Sequence, residues 1–108
     1  MKIQIKPLSI NEAFQGRRFK TKKYKDFEQE FLLKLKPLKL PKPFYSVYYE
    51  FGLSNVLSDW DNPVKPTQDI LQQKYGFNDK NIFEALVRKV KVNKGEEYIK
   101  FEIKSIDN

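Results

Sequence analysis

Cysteine and histidine are both missing from this 108-residue chain, which also has just one methionine, one tryptophan and four glycines. Without cysteine there is neither a disulfide nor a thiolate metal site, a composition that fits a reducing cytoplasm. Without histidine the usual zinc ligand and the usual general base are gone. Any metal site here has only oxygen ligands to offer, which favours Mg²⁺, Mn²⁺ or Ca²⁺ over zinc. No apolar run is long enough for a membrane span or a signal-peptide core, so the sequence predicts a soluble protein without membrane association.

Aromatic residues, by contrast, are plentiful. Nine Phe, six Tyr and one Trp make up 15% of a chain short enough to form a single domain over 1–108 with a thin core. That surplus predicts a self-associating surface, and so a homodimer. The net charge of +7 is lopsided. Residues 1–50 hold twelve Lys/Arg against five Asp/Glu, whereas residues 51–108 hold nine of each. A basic half beside a balanced half suits a polyanion gripped by one part and acted on by the other.

Periodicity gives the elements. Met1 to Lys6 alternates, with Ile3 and Ile5 on one face, and predicts a half-buried strand ended by Pro7. Thr21 precedes a stripe of Tyr24, Phe27, Phe31, Leu32 and Leu35, a capped helix that stops before Pro37. Phe44 to Phe51 reads as a central strand closed by Gly52. Asn62-Pro63 predicts a helix start, with Asn62 as N-cap and the helix running to Tyr75 before Gly76. Ile82 to Val92 and Tyr98 to Ile103 are extended and flank Asn93-Lys94-Gly95, which predicts a C-terminal β-hairpin. The sum is an α+β (α/β) domain with a mixed sheet and two main helices.

Two stretches carry chemistry. Between Gly16 and Lys25 lie Arg17, Arg18, Lys20, Lys22, Lys23 and Lys25 with no acid among them, and Phe19 and Tyr24 interleaved. This pattern suits a phosphate backbone and a stacked base, while Tyr24 also fits the helix core. Downstream, Asp59-Trp60-Asp61-Asn62-Pro63-Val64-Lys65 sets two carboxylates two residues apart. In an extended backbone they share a face and can reach one cation, with Trp60 turned toward the core. Asp69, four residues after Lys65, can pair with it on the helix. Asp79 follows where the chain turns back. The same run also suits a plain turn with capping carboxylates, which leaves a non-catalytic DNA- or RNA-binding protein as the rival reading.

Asp59-Trp60-Asp61-Asn62-x-x-Lys65-x-x-x-Asp69, followed by Lys74-Tyr75-Gly76-Phe77 and Asp79, resembles the RusA-like crossover-junction endodeoxyribonucleases of phages and prophages. Pro7-Leu8-Ser9-Ile10-Asn11 and the basic stretch through Lys23-Tyr24-Lys25 extend the resemblance over most of the chain. It implies a homodimer that cuts branched DNA, as four-way (Holliday) junctions, with Mg²⁺, Mn²⁺ being an alternative. Asp59, Asp61 and Asp79 match the metal-binding catalytic aspartates, and Lys65 matches the catalytic lysine. Asn62 and Asp69 would support them, and Asn11, Arg17, Arg18, Lys20, Lys22 and Lys23 would meet DNA. Where the family often has paired acids after the second helix, this chain has Asn78-Asp79 in a shorter loop.

Overall fold

The computed structural model describes residues 1–16, 19–55 and 57–106. In chain order the elements are β1 (Lys2–Ile3), α1 (Ile10–Ala13), β2 (Phe14–Gln15), β3 (Phe19–Lys20), α2 (Lys22–Lys34), β4 (Tyr45–Leu53), α3 (Val64–Tyr75), β5 (Ile82–Lys91) and β6 (Tyr98–Ser105). A short 3₁₀ turn at Asp79–Asn81 leads into β5.

Helix α2 follows its sequence signals. The Thr21 hydroxyl accepts from the Tyr24 N–H at 3.1 Å, satisfying a first-turn donor. Tyr24, Phe27, Phe31 and Leu35 are buried along one stripe, and the helix ends three residues before Pro37. Helix α3 ends as expected at Gly76, whose φ of 77° gives the left-handed stop. Its start differs from expectation. Pro63, not Asn62, occupies the cap position, and no side chain caps the helix. The Asn62 N–H closes a turn onto the Asp59 carbonyl at 3.3 Å, and the Asn62 carbonyl accepts from Ile10 N at 2.9 Å. Pro66 in the first turn has no N–H, so one fewer orphan donor needs a partner there.

The four-stranded sheet runs β1-β6-β4-β5, with β4 inside as expected. Strand β5 lies parallel to β4, while β6 lies antiparallel on the other side of it. The expected C-terminal hairpin is therefore split: β4 sits between its two arms. Helix α3 carries the chain from the end of β4 back to its start, which makes β5 parallel, and the connection after β5 then passes the end of β4, where Val92 N bonds the Leu53 carbonyl. Among the described residues the hairpin is β2–β3, whose strands pair antiparallel, with Gly16 (φ 69°) directly after β2. The N-terminal strand is shorter than its alternation suggested, pairing only Lys2 and Ile3, although Ile5 is also buried.

The sheet has one covered face. Val47, Tyr49 and Phe51 of β4 and Ile99 and Phe101 of β6 pack with Phe27, Phe31, Ile70 and Leu71 in a single core. Their alternates, Ser46, Tyr48, Glu50 and Lys100, look out of the other face.

A candidate nucleic-acid cleft and its acidic turn

Helices α1, α2 and α3 and the β2–β3 hairpin surround an open cleft of about 670 Å³. Asn11 comes from α1, Lys20 from β3, Tyr24 from α2, and Lys65, Asp69 and Gln73 from α3. These residues are far apart in sequence, and four of them are expected site residues: Asn11, Lys20, Lys65 and Asp69. Two hydrogen bonds fix the arrangement. Ser9 caps α1 by accepting from Asn11 N at 3.2 Å, and Thr21 N bonds the Ala13 carbonyl at 3.0 Å, tying the hairpin base to α1.

Charge in the cleft is paired but loosely held. Lys65 meets Asp69 at 3.2 Å across one helical turn, the geometry their spacing predicted. Lys20 meets Glu28 at 3.3 Å and also lies 4.9 Å from the centre of the Tyr24 ring. Beyond the cleft, Lys22 pairs with Asp26 and Lys23 with Glu12. Lys20, Lys22 and Lys23, from the run without acids, thus find their acids elsewhere in the fold. Half-exposed pairs of this kind are worth about 0–1 kcal/mol, so a phosphate can displace the carboxylate at small cost. Burial, then the Asp69 and Glu28 carboxylates, push the Tyr24 hydroxyl up to about 12, so it stays a neutral donor at the side of the cleft. Tyr24 is both core and lining. Gln73 was not anticipated; it faces the cleft because it lies one turn beyond Asp69. Arg17 and Arg18 lie outside the described residues.

The acidic turn differs from its extended picture. Asn62 N bonds the Asp59 carbonyl at 3.3 Å and Val64 N bonds the Asp61 carbonyl at 3.1 Å, so two successive turns replace the extended backbone. The alternate-residue geometry that would set both carboxylates on one face does not apply. Trp60 is 56% exposed rather than inside, because a turn on the surface has no core beneath it. Both aspartates are exposed. The Lys89 ammonium holds the turn from below by donating to the Ser58 carbonyl at 2.8 Å.

Asp79 lies elsewhere. Asp59 and Asp61 follow the end of β4, while Asp79 precedes β5, whose first residue pairs with Tyr45 at the beginning of β4. Between the two positions runs α3, twelve residues or about 18 Å long. Among the described residues no three carboxylates gather in a group able to hold a metal ion. Within one chain, therefore, Asp59 and Asp61 stand at one end of the sheet and Asp79 at the other. Among the described residues no helix is long and apolar enough to cross a membrane. Compared with known proteins, the chain matches no family model and no curated relative.

Proposed function

We propose that the protein is a Mg²⁺-dependent, structure-selective DNA endonuclease of the RusA-like kind, acting in the cytoplasm as a homodimer that nicks four-way junctions in pairs during recombination, repair or phage DNA processing. One observation carries the reading. Asn11, Lys20, Lys65 and Asp69, chosen from sequence alone, meet in one open cleft. A cleft lined by lysines, amides and a tyrosine hydroxyl suits a phosphodiester backbone, with lysines meeting phosphate oxygens and the amides and hydroxyl orienting it. The Ile10–Asn62 bond sets the acidic turn directly behind α1, at the same end of the sheet.

Incubation with an end-labelled four-way junction, in Mg²⁺ or Mn²⁺ and in EDTA, tests the reading. Paired, metal-dependent nicks are expected, lost in Asp59→Asn while junction binding persists. Undiminished cleavage by Asp59→Asn overturns the assignment.

The turn geometry favours a second reading. Asp59 and Asp61 both sit in ordinary hydrogen-bonded turns, as they would in a non-catalytic DNA- or RNA-binding protein. Gel shifts that fade with salt, without nicks under either metal, select that reading.

A further inference from the structure

Between α2 and β4 the chain reads Lys36-Pro37-Leu38-Lys39-Leu40-Pro41-Lys42-Pro43. Each proline fixes its own φ near about −65° and keeps the residue before it extended. Helix α2 gives way to this form at Leu35, whose φ of −71° and ψ of 129° are close to those of a polyproline II chain. That conformation has three residues per turn, and the lysines recur at every third residue. Lys36, Lys39 and Lys42 therefore share one side, about 9 Å from one to the next. The other two sides carry only prolines and leucines. Leu40 packs against the core, and Leu38 lies in a shallow groove with Phe101 and Ile103. All three lysines are exposed.

The strap is pinned near both ends. The Tyr75 hydroxyl donates to the Lys36 carbonyl at 2.6 Å, and the Ser105 hydroxyl donates to the Lys42 carbonyl. Both bonds hold the backbone of a lysine and leave its side chain outside. Lys20, Lys22, Lys23, Lys34, Lys65 and Lys104 each pair with a carboxylate. Among the described residues no ion pair involves Lys36, Lys39 or Lys42.

We propose that this strap is a second nucleic-acid contact, a lysine rail for the phosphate backbone of a duplex arm, separate from the cleft. The cleft takes Tyr24 from the first turn of α2, whereas the strap leaves the other end of that helix, thirteen residues or about 20 Å long. Phosphates of one strand follow each other every ~3.4 Å along a duplex, so ammonium groups about 9 Å apart each meet their own. A lysine meets phosphate as a point charge and reads no base. A protein partner suits the rail poorly. Protein interfaces are depleted in lysine and anchored by aromatic or arginine side chains, and the lysine side of the strap has neither. An extended backbone already fixed by proline also loses little freedom on binding. The proposal rests on the nucleic-acid binding that both functional readings share, and not on cleavage.

Binding of a labelled linear duplex in EDTA, followed against salt concentration, tests the rail. Changing Lys36, Lys39 and Lys42 together to Gln should make the slope of log K against log salt shallower by about 2.7, three phosphates at about 0.9 each. Affinity at low salt should fall about tenfold or more. Urea unfolding should not change, because the bonds from Tyr75 and Ser105 go to backbone. The exchange Leu38→Lys with Lys39→Leu keeps the net charge and moves one ammonium off the rail, so the slope should become shallower by about 0.9. A triple variant with the wild-type slope would overturn the proposal. So would an exchange variant that binds as the wild type does, since charge without register would then suffice. Weakened binding of polyglutamate with duplex binding intact would give the strap to an acidic protein and overturn it equally. A wild type that binds no duplex would overturn the rail and the nucleic-acid reading together. A rail that behaves as expected in a protein that makes no nicks would count only against the nuclease reading.

Discussion

The two faces of the sheet are built from the same strands and behave as different materials. On β6, Phe101 points into the core and is 1% exposed, while its neighbour Glu102 points out to solvent and to a loose pair with Lys104 at 3.6 Å. The covered face is held by apolar area and aromatic packing. The other face is held by a small polar network, in which Tyr48 and Tyr98 donate to the two oxygens of Glu50. Packing on the covered side makes the fold and sets the cleft.

The largest expected effect breaks the covered face. Phe101→Ala empties a site against Tyr75, 6.2 Å away between ring centres, and should cost about 3–5 kcal/mol. Glu102→Ala, one residue on, should change stability by less than about 0.5 kcal/mol. Urea unfolding of both variants measures the difference; comparable losses would mean that the faces are not distinct. A smaller effect is expected on the polar face at Gly52, which pairs with Tyr98. A Cβ at Gly52 would stand 2.4 Å from ring carbons of Tyr98, so Gly52→Ala must push the ring aside. A loss of about 1–3 kcal/mol is expected, together with weakened quenching between Tyr98 and its neighbours. An unchanged unfolding midpoint would show that the ring moves freely.

Sequence read the covered side better than the turns. Helix α2, its Thr21 cap and the Gly76 stop were legible because each depends on local chemistry: a hydroxyl within reach of an N–H, or a residue without a Cβ. Strand β4 was legible from its aromatic and β-branched run, although it continues through Gly52 to Leu53 because Tyr98 covers the glycine. Strand pairing was not legible. Whether Ile82–Lys91 pairs with β6 or with β4 depends on the path of α3 across the sheet, which no window of residues contains. Asp59 and Asp61 were found as a pair, yet their shared face was inferred from an extended backbone that the turn hydrogen bonds replace. Lys65 and Asp69 fared better, since helical spacing fixes their approach. The place of Asp79 was not legible for the reason strand pairing was not: it depends on which end of the sheet the chain has reached.

The smallest effect, and the one that tests the polar face by itself, is electrostatic. Hydrogen bonds from Tyr48 and then Tyr98 hold the Glu50 carboxyl below its ordinary 4.5, with Lys100 and Arg88 adding to the effect. The folded state therefore binds the Glu50 proton less tightly than the unfolded chain. Stability from this group is complete above the unfolded value near 4.5 and is lost as pH falls through the lower folded value. Burial and then Glu50 raise the Tyr98 hydroxyl from 10.0 to about 12, so its share is complete below about 10 and is lost as pH rises toward 12. In Glu50→Gln both slopes should flatten, the acid one because the titrating group is gone and the alkaline one because the anion raising Tyr98 is gone. Unfolding followed from pH 3 to 7 and again from 9 to 12 reads the two slopes separately. Wild-type slopes retained in Glu50→Gln would mean that Glu50 does not organise this face, and that the tyrosines stand there for packing alone.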